Sequence, residues 1–98
     1  MNGRVEEGRL LLSGVLDLNN IDRLASLLRD HITGVGEASG PVRVDLAEVV
    51  DLDTAALQVF VSARRMADQS GKSLELLSAN AMVRGRFRLT GLEFLCGP

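Results

Sequence analysis

Val42-Arg43-Val44-Asp45-Leu46, then Ala47-Glu48-Val49-Val50-Asp51-Leu52, then Asp53-Thr54-Ala55-Ala56-Leu57: the reading of this stretch decides the fold. Its first five residues are largely apolar and β-branched, the mark of a strand. The next six read as a short acidic loop. From Thr54 onward apolar residues recur at helical spacing as far as about Gln69. With Asp53 as the last loop residue, Thr54 takes the first helical position, where backbone N–H groups lack intrahelical partners and the macrodipole presents its positive end. A hydroxyl there is either a cap or a place for a phosphate.

Downstream, Ala56, Val59, Phe60, Ala63, Met66 and Ala67 form one stripe of this helix, and Gln58, Ser62, Arg65, Asp68 and Gln69 lie away from it. Gly71 stops it. A strand over Ser73–Leu77 follows, then a short helix from about Asn80 to Leu89, Gly91, and an apolar tail, Leu92-Glu93-Phe94-Leu95, that docks rather than frays. Upstream, Val5–Gly14 reads as a hairpin turning at Glu7-Gly8, with Arg9-Leu10-Leu11-Leu12-Ser13 as its second strand. Its consecutive leucines suit a strand covered on both faces, inside a sheet. Asn19 reads as the cap of the first helix, answered by Asp22 in the manner of a capping box. Ile21, Leu24, Ala25, Leu28 and Ile32 form that helix's buried stripe, while Asp22, Arg23, Arg29 and Asp30 face water. Gly34–Pro41, with Glu37 and Ser39, reads as a surface loop. Two strand–helix–strand crossovers behind a hairpin predict an α/β domain, a small mixed sheet of about four strands with helices packed on it.

Ninety-eight residues suit one domain that buries about 60–68% of its unfolded surface without a disulfide or metal staple. Only 3% of the residues are aromatic, and Trp and Tyr are absent, which disfavours a stacking platform for bases or sugars. A net charge of −2 gives no electrostatic footprint for nucleic acid or anionic lipid, so protein partners are expected. The single cysteine, Cys96, excludes an internal disulfide and reads as an incidental thiol. With no signal peptide and no apolar run near the roughly 20 residues of a membrane span, a cytoplasmic location is expected.

Gly14-Val15-Leu16-Asp17 after a leucine-rich strand, Val44-Asp45-Leu46 followed by Val50-Asp51-Leu52-Asp53-Thr54-Ala55-Ala56-Leu57, and Leu89-Thr90-Gly91-Leu92 resemble the STAS domain, the module of bacterial anti-sigma factor antagonists and of anion-transporter tails. The resemblance covers nearly the whole chain, 1–98 as a single domain. It implies a mixed sheet of four to five strands with surrounding helices, no catalysis, no cofactor, and a regulatory hydroxyl at Thr54. A serine/threonine kinase that doubles as the anti-sigma factor would phosphorylate that hydroxyl, and a phosphatase would restore it. The best-known antagonists carry Asp-Ser-Ser-Gly where this chain has Asp53-Thr54-Ala55-Ala56. The Thr version is similar to stress-signalling scaffold components, to STAS proteins associated with chemotaxis, and to the small cytoplasmic subunit of a bacterial lipid-transport ABC system.

Thr54 is either a first-turn cap or a phosphoacceptor. Asp51 and Asp53 either offset the helix dipole or orient Thr54 and contact a kinase. Asp17 and Asn19, after the second strand, are expected beside the start of the Thr54 helix, where open α/β sheets form crevices for a nucleotide or lipid contact. Ala55, Ala56 and Gln58 complete the predicted partner-binding set. Asp45, Glu48, Asp51 and Asp53 are disfavoured as a Mg²⁺ site. His31 reads as structural, and Arg84, Arg86 and Arg88 as a solvated face or a contact for an acidic partner. No acid, base and nucleophile converge at usable spacing, so an enzyme is disfavoured. Two functions fit these residues. One is an antagonist-type binding module gated at Thr54 by a kinase-type regulator. The other is an accessory subunit seated on an ABC ATPase without phosphorylation.

Overall fold

A computed structural model describes residues 1–34 and 40–97. β1 (Asn2–Glu6) and β2 (Arg9–Leu16) form the hairpin, and α1 (Ile21–Gly34) leads to β3 (Val42–Leu52). α2 (Thr54–Gln69), β4 (Leu74–Leu77) and α3 (Ala81–Arg88) follow, and a 3₁₀ turn over Glu93–Cys96 ends the chain. The sheet order is β1-β2-β3-β4, with β1 antiparallel to β2 and both remaining pairs parallel. This is the mixed α/β architecture that the pattern predicts, in its four-stranded form. The predicted loop Gly34–Pro41, including Glu37 and Ser39, lies largely outside the described residues.

The hairpin turns on Glu7 and Gly8, both at positive φ (53° and 77°), the backbone that two-residue turns joining twisted strands require. β2 extends to Leu16, beyond the predicted Ser13. Leu10 and Leu12 are buried and Leu11, on the other face, is half-buried. The largest departure concerns residues 47–52. They are strand, not an acidic loop, and β3 runs eleven residues to Leu52. Between Leu11/Ser13 and Asp45/Glu48, and again between Gly14/Val15 and Val49/Asp51, β3 spends one residue more than β2. Each extra residue is a β-bulge that resets the alternation of faces. That break in period is why the stretch looks unlike a strand. At the first bulge the Asp45 carboxylate takes the Ala47 N–H (2.9 Å), and at the second Asp51 takes that of Leu52 (2.8 Å).

α1 buries Leu24, Leu28, His31 and Ile32. Ile21 and Ala25, expected in that stripe, are half-buried because the stripe turns toward His31, whose Nε2–H donates to the Arg43 carbonyl (3.0 Å). α2 buries Ala56, Leu57, Phe60, Ala63 and Ala67, with Val59 and Met66 at the margin. It ends in a Schellman arrangement: Lys72 N–H bonds the Ala67 carbonyl, Gly71 N–H that of Asp68, and Gly71 has φ +72°. Lys72 then reaches across to the Ile32 carbonyl near the end of α1 (2.6 Å), tying the two helices' ends together. The tail docks through Leu92, while Phe94 stays exposed beneath the Arg64 guanidinium.

Phe60 of α2 and Phe87 of α3, both fully buried, meet edge to face with centroids 5.1 Å apart. They join the two helices over the sheet. Phe60→Ala should cost about 3–5 kcal/mol, a large share of the roughly 5–15 kcal/mol available to a small domain. Urea denaturation should show a much lower midpoint for Phe60→Ala and a smaller drop for Phe60→Leu.

Candidate functional site

Parallel pairing sets Leu16 beside Leu52, so β2 and β3 end side by side and the segments leaving them start together. Asp17 leaves β2 and Asp53 leaves β3. Asp17 Oδ1 accepts from the Asn19 N–H (3.0 Å), and the Asn20 side chain accepts from the Asp17 N–H (3.0 Å), a capping box over a 3₁₀ turn at Leu18–Asn20. The cap is therefore Asp17, answered by Asn20, not Asn19 answered by Asp22. The short turn before α1 moves the capping site two residues upstream.

Asp53 couples the two segments. Its Oδ1 accepts the Ala56 N–H (2.9 Å), capping α2, and its Oδ2 accepts the Leu18 N–H (3.0 Å). Its own N–H donates to the Leu16 carbonyl (3.0 Å). Because Asp53 is the cap, Thr54 is not. Thr54 stands exposed at the first position of α2.

A groove of about 280 Å³ opens here, lined by Val15, Asp51, Leu52, Asp53, Thr54, Leu57, Arg86 and Leu89. Beside the exposed polar Asp53, Thr54 and Arg86 it carries exposed apolar side chains: Val15 is 45% exposed and Leu89 76%, and Leu18, next to the groove through the Asp53 bond, is 68% exposed. Arg86 of α3 grips the Asp51 carboxylate with two parallel bonds, Nε to Oδ1 (3.1 Å) and Nη2 to Oδ2 (3.2 Å). That bond first, and the Leu52 N–H second, hold the Asp51 carboxyl below the usual carboxylate range. Asn80, which caps α3, fixes the same helix to β3 through the Val49 carbonyl (3.2 Å).

Of the predicted partner-binding residues, Asn19, Asp53, Thr54 and Gln58 are exposed, and Asp17, Asp51 and Ala55 are half-buried. Ala56 is the exception: it is fully buried, its methyl part of the core, so it has no surface for a partner. The arginines do not form a simple solvated face. Arg86 holds Asp51, Arg88 holds Glu93 (2.7 Å), and Arg84 donates to the carbonyls of Cys96 and Gly97. Asp45, within 3.3 Å of an Arg9 Nη, is not among the residues that line this groove. Cys96 is half-buried and desolvation pushes its thiol up, which suppresses the reactive thiolate. No helix among the described residues is long and apolar enough to cross a membrane.

A sequence model of the family described as "Mlab, STAS domain" matches residues 2–96. The chain belongs to the STAS domain family. The unphosphorylated form of the anti-sigma factor antagonist SpoIIAA superposes on this STAS domain with a TM-score of 0.76 at 15% identity, covering 97% of this chain and 84% of that one. A candidate anti-sigma factor antagonist of Thermotoga maritima, tm1081, gives 0.73 at 19% identity over 97% and 81%. The murine anion transporter Slc26a9 gives 0.71 at 13% identity, over 83% of this chain and 13% of the transporter. At these identities the likeness is one of fold. No curated protein sequence matches the chain.

Val15 and Leu89 of the groove, and Leu18 beside it, do not stand out as site residues in the sequence, and Arg86 stands out only as one of three clustered arginines. The apolar ones read as element ends, and the Asp51–Arg86 pair spans 35 positions, with no local spacing to reveal it. Two outcomes are expected of this STAS domain. Asp53→Ala should lower stability by about 1–2 kcal/mol in thermal or urea unfolding. Asp53→Asn should recover only part, because its one carbonyl oxygen replaces the cap but not the second acceptor. Arg86→Gln should raise the Asp51 pKa toward the ordinary range, as read by carboxyl ¹³C titration. A depressed folded-state pKa contributes stability above the unfolded value and loses it as pH falls through the folded one. In the wild-type protein the Asp51 contribution should thus persist to lower pH than in Arg86→Gln.

Proposed function

We propose that this STAS domain is a non-enzymatic, regulatory protein-binding module whose docking surface is the groove at the carboxyl ends of β2 and β3, with Thr54 as its phosphoacceptor. The observation that carries the reading is the exposed Thr54, relieved of capping by Asp53 and lining one groove with the exposed apolar side chains of Val15 and Leu89. Apolar residues at an otherwise polar surface suit burial under a partner, and a hydroxyl among them is a place to control that burial. The partner is a serine/threonine kinase-type regulator of the anti-sigma kind, a phosphatase reverses the modification, and the location is cytoplasmic. Transfer of the γ-phosphoryl group of ATP to the Thr54 oxygen, releasing ADP, adds about −1.5 to −2 charges and three acceptor oxygens. The helix terminus favours that charge by about 0.3–1 kcal/mol, whereas Asp51, Asp53 and an apolar partner surface oppose it. Phosphorylation then leaves the fold intact and blocks docking.

A second reading seats the same surface on an ATPase subunit of a transport system, without phosphorylation. It draws on Ala55 and Ala56, which stand where the antagonists that the chain resembles carry Ser and Gly.

Incubation with candidate kinases and ATP should add one phosphoryl group to the wild-type protein and none to Thr54→Ala, by intact mass. Thr54→Glu should weaken partner binding about tenfold relative to Thr54→Ala, or about 1.4 kcal/mol. Equal affinities would remove the switch. Co-purification with an ATPase that Thr54→Ala leaves unchanged would select the second reading.

A further inference from the structure

Building on Thr54 as phosphoacceptor, we propose that the Arg86 guanidinium pairs with the phosphate carried by Thr54, leaving Asp51, which holds it in the unmodified protein.

Asp51, Thr54 and Arg86 line one groove, from three different elements: β3, α2 and α3. Arg86 is the member of its cluster that faces this groove, since Arg84 is bound to the carbonyls of Cys96 and Gly97 and Arg88 to Glu93. Its fork already sits in bidentate register on a carboxylate. The same fork matches two oxygens of a phosphate monoester, which carries more charge. The exchange is easy from the arginine's side, because the ion pair is open to water, with side chains 45% and 33% exposed, and such pairs are weakly held. It is easy from the carboxylate's side too. Asp51 keeps the Leu52 N–H at 2.8 Å and is half-exposed, so the departure of Arg86 leaves it bonded and hydrated.

The exchange transfers a tie of α3 from β3 to α2. Leu89 follows directly after α3 and lines the groove, so the move changes an exposed apolar part of the groove as well as its charge. Modification would act on a docking partner twice, by repulsion and by altering the surface it meets.

The test uses full-length protein with phosphothreonine inserted at position 54 during translation, titrated by ³¹P NMR together with the Asp51 carboxyl ¹³C signal. Asp17, Asp51 and Asp53 raise the second phosphate pKa and Arg86 lowers it. The wild-type value is therefore expected about one unit below that of Arg86→Gln, tenfold in the protonation equilibrium. Asp51 in the phosphorylated wild type should titrate as it does in phosphorylated Arg86→Gln, having lost the same partner. Equal phosphate pKa values, or an Asp51 still depressed relative to Arg86→Gln, would overturn the exchange. Amide spectra check that the variant is folded. Arg86→Lys serves the same comparison, with an intermediate phosphate pKa expected and an unchanged one counting against the fork. Neither kinase nor partner enters the measurement, so failure of the docking reading and failure of the exchange are separately visible.

Discussion

The Asp53 carboxylate accepts two backbone N–H groups from different parts of the chain, one inside α2 and one in the turn after β2. Both donors lie in the first turn of a helical segment, Ala56 in α2 and Leu18 in the 3₁₀ turn, where a backbone N–H has no partner within its own element. One side chain solves both. In doing so it fixes where α2 begins relative to the β2 exit, and it frees the next residue from any structural duty. The exposure of Thr54 is thus a consequence of the bonding of Asp53. A surface that must present a hydroxyl for modification needs the helix start to be held by something else.

The same division of labour recurs around the groove. Asn80 caps α3 and also reaches the Val49 carbonyl, while Arg86 bridges to Asp51. α3 is therefore fastened to the end of β3 by one neutral bond and one charged one. The neutral bond is insensitive to a new anion in the groove. The charged one is not, which gives the assembly a fixed anchor and a releasable one on a single eight-residue helix.

Much of this was readable from residue order alone. Local chemistry specified the glycine stop after α2, the Glu7-Gly8 turn, the burial of Phe60 and the position of Thr54, because each depends on residues within a few positions. What escaped depends on partners far apart in sequence. The 47–52 segment reads as a loop because two bulges break its alternation, and a bulge is defined by the neighbouring strand rather than by its own composition. The Asp17 cap escaped because a 3₁₀ turn precedes α1. Arg86 was visible as one of a cluster, but only the placement of α3 against β3 shows which of the three arginines meets Asp51.

The two bulges in β3 also set the phase of everything after them. Each bulge is a residue that β2 does not match, so losing that residue, at Ala47 for instance, would return the two strands to one-for-one pairing and leave Asp51 and Leu52 on the faces they hold now, without the local bend. Loss of a residue elsewhere in β3 has no such slack: with a two-residue repeat it would carry Leu52 toward water and Asp51 toward the core. Single-residue changes of length should therefore be tolerated at the two bulges and almost nowhere else along this strand.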